Sequence, residues 1–485
     1  MTYVLAAYQG HDASVALVGN GRIVHLEKER FTRIRHDTGP HDDLIDPACK
    51  LMGIEREEIT HIVGVSGTFA ASPDVWDNFM DVKQCERDEI IKDKFLPCFG
   101  VPHHTAHAAY AYYTSPYDEP VSILAMDGGG DAYFEHGTGI RVSTTAIGEA
   151  SSDGFYVRYE PCHGVGGAWL NMSIDLFGGP FQEGKVMALH GLNAVPDGLP
   201  DDAIEKVRAL QAKTTQAFYD CIPQGRPVCI AGGCALNGIA VYELLRTGHV
   251  PSVWVPPSCD DGGVTVGAAL YVLHHVLGEP RVKYDADTVA LAGYCEPELQ
   301  SMNGLDYDTR LVERIVDALV AGKIVALAHG KAESGPRALG HRSLLADPRK
   351  MASKERLNAM KGREQWRPVA PVALQSNASR YFRLIDRTAY GAMTCIAATT
   401  EEMRKVAPAG VHVDGSARVQ VTDTHSFLGR LVEAFGQVTG VPIILNTSLN
   451  CRGQAMANTA QDAIDSATFM GADVIVVGDR VVRYG

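Results

Sequence analysis

His103 and His107 stand four residues apart in the alanine-rich run Pro102–Ala109. On an α-helix that spacing puts both imidazoles on one face, a turn apart. A buried strand, Val121–Met126, then delivers Asp127 into Gly128-Gly129-Gly130. Glycines there let backbone N–H groups approach phosphate oxygens. Two imidazoles and a carboxylate make most of a metal site. Further along, Cys259-Asp260-Asp261-Gly262-Gly263 opens a helix over Val264–Val276. One of its two acids would complete a mixed nitrogen and oxygen set suited to iron or another divalent transition metal. Capping of the helix N-terminus is the plainer use of the same acids.

A second constellation follows a strand at Pro227–Ile230: Ala231-Gly232-Gly233-Cys234-Ala235-Leu236-Asn237, opening a helix through Leu245. A strand feeding a Gly-Gly turn at a helix N-terminus is a natural nucleotide seat. The third is cationic. Arg337, Arg342, Lys361, Arg363 and Arg367 sit among glycines, prolines and apolar residues, not on a polar helical face. Guanidinium groups in such company clamp carboxylates or phosphates. Arg418 lies in a strand read over Ala417–Val421, and Asn446 to Ser448 end the apolar strand Pro442–Ser448 with hydrogen-bonding groups. Those side chains suit a phosphate or a carbamoyl group.

The elements that must carry these residues repeat. Tyr3–Tyr8, a tight loop at Gln9–Asp12, Ser14–Val18 and Ile23–Leu26 read as a strand meander, and residues 121–147 follow the same plan. Such a layout suggests a duplicated domain with a ligand cleft between its halves. Leu44–Met52 reads as helix and Thr60–Val65 as strand, whereas 70–99 carries no clear pattern. The glycine-rich residues 150–200 read as loops with short helices, an acceptor-facing insertion. Residues 279–305 lack periodicity, which places a boundary there: a first domain over 1–290, a linker over 291–305 and a second domain over 306–485, opening with a helix (310–321) and the strand Ile324–Leu327.

Length and composition bound the rest. At 485 residues, 46% hydrophobic and 21% charged, the chain is an ordinary globular protein of more than one domain. No apolar run is long enough to span a membrane and no signal-peptide pattern opens the chain, so a cytoplasmic location is expected. Eleven cysteines without CxxC spacing argue against a disulfide framework or structural zinc. A net charge of −14 counts against a nucleic-acid partner.

Taken together these residues resemble the NodU/CmcH family of O-carbamoyltransferases. The resemblance runs over Gly10-His11-Asp12-Ala13-Ser14, His103-His104-xx-His107-Ala108, Asp127-Gly128, Gly232–Asn237, Asp261-Gly262-Gly263, Gly335–Ser343, Lys361-Gly362-Arg363-Glu364-xxx-Pro368, Ala417–Gln420 and Asn446-Thr447-Ser448. Gly335–Ser343 is the most specific of these strings. The family implies a mixed α/β chain: a duplicated actin-like (ASKHA) N-terminal domain, then a YrdC-like α/β domain. It also implies that ATP, with magnesium, and carbamoyl phosphate form a carbamoyl adenylate in the second domain. Transfer to a hydroxyl of a small-molecule natural product follows in the first. By position, His103, His107, Asp127 and Asp261 (Asp260 as the alternative) would bind iron. Gly128, Gly129, Gly232, Gly233 and Asn237 would hold the adenylate. Arg337, Lys361, Arg418, Asn446 and Ser448 would hold carbamoyl phosphate and the nucleotide phosphates, and His11 would face the acceptor as its base. Arg35 stands where relatives often carry lysine. A homodimer is the expected assembly. Competing readings are a tRNA threonylcarbamoyl-modifying enzyme, a nucleotide-binding regulator without turnover, and a sugar kinase, which would not need the second domain.

Overall fold

The computed structural model describes residues 1–39, 41–66, 83–84, 89–91, 94–130, 132–135, 139–160, 164–300 and 309–484. Much of the patternless 70–99 stretch lies outside them. The first sheet contains β1 (Tyr3–Tyr8), β2 (Ser14–Gly19), β3 (Arg22–Glu27), β4 (His61–Ser66), β5 (Lys83–Gln84) and β6 (Cys98–Pro102), in the order β3-β2-β1-β4-β6-β5. The meander β1 to β3 is antiparallel, while β4 joins β1, and β6 joins β4, in parallel.

A second sheet is built from β7 (Val121–Met126), β8 (Thr145–Ser151), β9 (Gly154–Tyr159), β10 (Val228–Ala231) and β11 (Val253–Trp254). Its order is β9-β8-β7-β10-β11, again an antiparallel meander followed by two parallel additions. The central strands read as unbroken apolar runs because both faces are covered. Every residue of β7 is buried.

Four helices matter for the site: α1 (His103–Tyr113), α2 (Val165–Phe177), α3 (Gly238–Arg246) and α4 (Val264–Tyr271). Helix α1 is buried on all sides, which explains why its sequence is alanine and aromatic with no polar face. It packs against α4 through Gly267, where a Cβ would lie 1.8 Å from the Ala106 carbonyl oxygen. Only glycine allows that approach, and the approach brings the histidine face of α1 to the loop that opens α4. The helix predicted over Val264–Val276 ends its α-helical part at Tyr271 and finishes in a π-helical turn.

The third sheet has seven strands, ordered Gln420–Thr422, Ala370–Leu374, Ile443–Ser448, Arg342–Ala346, Val325–Ala328, Val474–Val477 and Arg480–Tyr484. Strand periodicity sorts its two faces. Val325 and Leu327 pack under the helices Thr309–Val320 and Phe427–Thr439, whereas Ala326 and Ala328 face Leu357, Ala463 and Ala467. The boundary segment is bonded to both sides: His25 N–H donates to the Ala292 carbonyl and Ala332 N–H to that of Tyr294, both at 2.8 Å.

Two local expectations give way. Residues 150–200 contain the strand β9 and the thirteen-residue α2, where loops with short helices were expected. The glycines Gly166 and Gly167 sit in the first turn of α2, and their lack of side chains serves packing. The strand read over Ala417–Val421 is broken at Arg418 and Val419, between Ser416–Ala417 and Gln420–Thr422. The guanidinium there leaves the sheet to reach across toward the N-terminal half.

Candidate active site

His103 and His107 open α1, Asp127 follows β7, and Asp261 begins the short turn before α4. His107 Nε2 lies 3.1 Å from His103 Nε2, 3.1 Å from Asp127 Oδ2 and 3.2 Å from Asp261 Oδ1. His103 Nε2 is 3.2 Å from the same Asp261 oxygen. One atom from each of the four falls within 4.8 Å of every other. Ligands at about 2.1 Å from a common ion stand roughly 3–4 Å apart, so two imidazoles and two carboxylates in this array fit one divalent transition metal. Asp260 is not in the array; its carboxylate meets Ser258 Oγ at 3.3 Å. Tyr8, marked by the sequence only as a strand residue, directs its hydroxyl to Asp261 Oδ2 at 3.3 Å.

The charges around the array are strongly coupled. Burial opposes ionisation of Asp261, yet His103 and His107 hold it well below the usual carboxylate range. Burial also opposes a charged His107, but hydrogen bonds to Asp127 and Asp261 push it up to about 9. Asp260 moves the other way, raised well above its ordinary value by burial and by Asp12, Glu27 and Asp261. His11 stands at the open side, its side chain 47% exposed, between Asp12 (2.9 Å) and Asp261 (3.3 Å).

The glycines act around Asp127. The N–H of Gly233 donates to Asp127 Oδ2 at 2.9 Å and that of Gly128 to Oδ1 at 2.5 Å. Gly232 has φ +85°, and a Cβ on it would collide with the Met126 carbonyl oxygen at 2.2 Å. Gly129 is half-buried in the same loop. Gly166 packs at this point too: its Cβ would fall 2.4 Å from the Asp127 carbonyl. Asn237 is engaged differently. Its Oδ1 accepts from Ala240 N–H, capping α3, and its amide pairs with that of Gln211 at 3.0 and 3.1 Å.

The cationic residues lie on loops around the third sheet, and Arg418 reaches toward the N-terminal half. Arg418 donates to the Met393 carbonyl at 3.1 Å and reaches Leu236 O at 3.5 Å, beside the Gly232–Asn237 turn. Burial, with Arg337 nearby, brings it down to about 9. Arg363 falls to about 9 through burial and through Arg367, Arg35 and Arg337. Guanidiniums gathered closely enough to depress Arg363 and Arg418 form a seat for anionic groups. Arg337 is half-buried, and its Nε has no protein partner.

Lys361 is placed otherwise than a free phosphate ligand. Its ammonium is buried and donates to Ser448 O, Asn450 O and Asn450 Oδ1, with Ser448 Oγ at 3.3 Å. Burial, aided by Arg363 and Arg367, holds it well below the usual lysine range. Asn446 Nδ2 likewise donates internally, to Ala338 O and Gln420 Oε1. Both residues shape the wall behind the arginines.

Arg342 belongs to the architecture. Fully buried, it donates to the carbonyls of His329, Gly330, His341 and Asn458. The organiser of the Gly335–Ser343 string is Glu333, one residue pair before it: Oε1 accepts the N–H groups of Leu339, His341 and Arg342 at 2.8–3.0 Å. A single glutamate carries no periodic or spacing signal, so nothing in the sequence marks it.

The mixed α/β chain thus carries a four-donor cluster and, on its C-terminal half, a group of buried arginines. The chain matches the family model for the carbamoyltransferase C-terminus over residues 316–484 and that for the carbamoyltransferase N-terminus over residues 204–270. Matches to both the N- and the C-terminal carbamoyltransferase models are thus found along the chain. It is 28% identical to a 3'-hydroxymethylcephem-O-carbamoyltransferase of Streptomyces clavuligerus over 99% of each chain. It is 29% identical to nodulation protein U of Sinorhizobium fredii, over 94% of this chain and 95% of that one. Among solved structures, full-length HypF in its phosphate- and nucleotide-bound form aligns with 56% of each chain at 14% identity and a TM-score of 0.32. No described helix is long and apolar enough to cross a membrane.

Proposed function

We propose that the protein is an ATP-dependent O-carbamoyltransferase that activates carbamoyl phosphate as carbamoyl adenylate and transfers the carbamoyl group to a hydroxyl of a small-molecule natural product. In this reading the two N-terminal sheets form an actin-like pair and the third sheet a YrdC-like domain. One observation carries it: the loop bearing Arg337 is docked on the loop bearing Asp261, so the anion seat and the donor cluster share a cleft. A Cβ on Gly335 would lie 2.4 Å from the Pro257 carbonyl oxygen, and Glu27 Oε1 accepts from both Gly335 N–H (3.2 Å) and Ser258 Oγ (3.5 Å).

The chemistry needs that proximity. A carbamoyl group is a poor electrophile until it carries a good leaving group, and its mixed anhydride with AMP hydrolyses in water. A closed route between the two seats protects it. Arg337, Arg363, Arg367 and Arg418 hold the phosphates, while Lys361 and Asn446 stiffen the wall behind them. The Asp127–Gly129 and Gly232–Gly233 turns, bare of side chains at each glycine, leave room for the adenylate beside Asp127. His103, His107, Asp127 and Asp261 would hold iron or another divalent metal. When bound, that metal supplies Lewis acidity toward the carbamoyl or phosphate oxygen. His11, raised to about 9 by its hydrogen bond to Asp12, gives its proton to solvent at its open side, and the neutral ring then takes the proton of the acceptor hydroxyl as its oxygen attacks the carbamoyl carbon. AMP is the leaving group.

The test is AMP release from ATP and carbamoyl phosphate by iron-supplied protein, with candidate hydroxyl acceptors added in a second series. Arg337→Gln is the control, since Arg337 makes few internal bonds. AMP release by the parent and its loss in folded Arg337→Gln are expected. No AMP in either series, from folded and metal-loaded protein, removes the reading.

A further inference from the structure

Six non-glycine residues among those described have positive φ, and three of them meet beside His11: Asp12 (66°), His36 (56°) and Phe181 (60°). Aspartate tolerates this region, but for an aromatic residue it is strained and persists only where the surroundings enforce it. The Phe181 ring stacks on His36 with centroids 4.1 Å apart, and lies 5.3 Å from the His11 ring. Asp12 ties the two histidines together, Oδ1 at 2.7 Å from His36 Nδ1 and Oδ2 at 2.9 Å from His11 Nδ1.

The segment that holds Phe181 there is pinned on both sides. Ser173 Oγ donates to Gly179 O and accepts from Gln182 N–H, each at 2.9 Å. The helix that follows, Glu183–Leu189, is tied to the C-terminal half by Lys185 to Glu364 (3.1 Å), His412 Nε2 to Ala188 O (3.2 Å) and Arg418 to Met187 Sδ (3.4 Å). A strained phenylalanine is thus fixed at the mouth of the cleft, half-buried, against the histidine that faces Asp261. Core packing does not require it, because among the described residues the ring joins none of the buried apolar clusters.

We propose that Phe181 is the acceptor-specificity residue of this protein. With His36 and His11 it forms an aromatic corner that takes a hydroxyl-bearing compound through a flat, apolar ring face, leaving the reacting hydroxyl at His11. The inference rests on the transferase reading. An acyclic polyol has no face to offer such a corner, whereas a ring gains contact area and CH–π or π stacking.

The experiment is saturation-transfer NMR on the full chain with p-nitrophenyl β-D-glucopyranoside as the ring probe and sorbitol as the acyclic one. Thermal melting and AMP release from ATP and carbamoyl phosphate are followed in parallel. The ring probe is expected to bind the parent and Phe181→Tyr at least tenfold more tightly than sorbitol. Phe181→Ala loses that preference, and so does Phe181→Gly, whose backbone accepts positive φ without strain and therefore keeps the fold. Equal binding of sorbitol by the parent, or parent-like binding of the ring probe by Phe181→Ala or by folded Phe181→Gly, overturns the proposal. A parent that binds the ring probe through Phe181 and releases no AMP keeps the corner and loses the transferase reading.

Discussion

His25 and Ser334, 309 residues apart in the chain, meet at 2.6 Å between Nδ1 and Oγ. The opposite ring nitrogen, Nε2, lies 2.7 Å from the Gly262 carbonyl. Burial lowers the pKa of His25, so the ring is neutral and has one N–H. A carbonyl only accepts; hence Nε2 carries the proton and Nδ1 accepts from the Ser334 hydroxyl. One imidazole therefore joins the loop of Arg337 to the loop of Asp261. Ser334→Ala leaves that buried nitrogen without its donor and is expected to cost about 1–3 kcal/mol in urea unfolding. It should also raise KM for carbamoyl phosphate more than it lowers kcat.

Asp260 and Asp261 are neighbours with opposite assignments. Asp261→Asn is expected to abolish binding of iron to the purified protein, measured by elemental analysis after dialysis. Asp260→Asn is expected to retain the metal and to lose no stability, because burial already favours the neutral acid there. Equal metal loss in both variants would contradict the placement.

Gly335 has φ +91°, and a Cβ on it would sit 2.4 Å from the Pro257 carbonyl oxygen. Gly362 has φ +58° but meets only the Arg452 side chain at 3.4 Å. Gly335→Ala is expected to destabilise by about 3 kcal/mol or more, adding a backbone clash to the strain, and Gly362→Ala by about 1 kcal/mol. Chemical denaturation distinguishes them.

The pH response has a defined sign. His329 is held well below its ordinary value by burial and by His341 and Arg342, and His341 is lowered by burial. Below about pH 6.5 the unfolded chain binds protons that the folded chain refuses, so stability falls as pH drops from there toward the folded values. Each histidine contributes up to about 1.4 kcal/mol per pH unit in that window. His329→Phe should flatten the slope of unfolding free energy between pH 6.5 and 5.

Anions should stabilise the protein. Burial depresses Lys361, Arg363 and Arg418, which marks cationic groups held in a desolvated wall. Pyrophosphate at a hundredfold excess over its Kd is expected to add about 2.7 kcal/mol by mass action, read as a rise in Tm. Arg337→Gln should reduce that rise. Chloride at equal ionic strength should not reproduce it.

What the sequence alone determined is local. A four-residue spacing set His103 and His107 on one helical face, and an apolar run of strand length brought Asp127 to the glycines. Glycine, proline and apolar neighbours marked Arg337, Arg363 and Arg367 as more than a solvated face. Each of these signals lies within one element or its adjoining turn, where periodicity and backbone freedom act. The tertiary structure decided everything that depends on contacts between distant segments. Gly267 against Ala106 seats the histidines on Asp261 and leaves Asp260 outside. Lys361 spends its ammonium on Ser448 and Asn450, and Asn237 caps α3, though both read as ligand residues. Glu333, His25, Tyr8 and Phe181 acquire their places only when loops from all three sheets close on one another. No residue-by-residue preference encodes such a meeting, because hydrogen bonds and stacking depend on where a side chain is held, and packing across the cleft holds it.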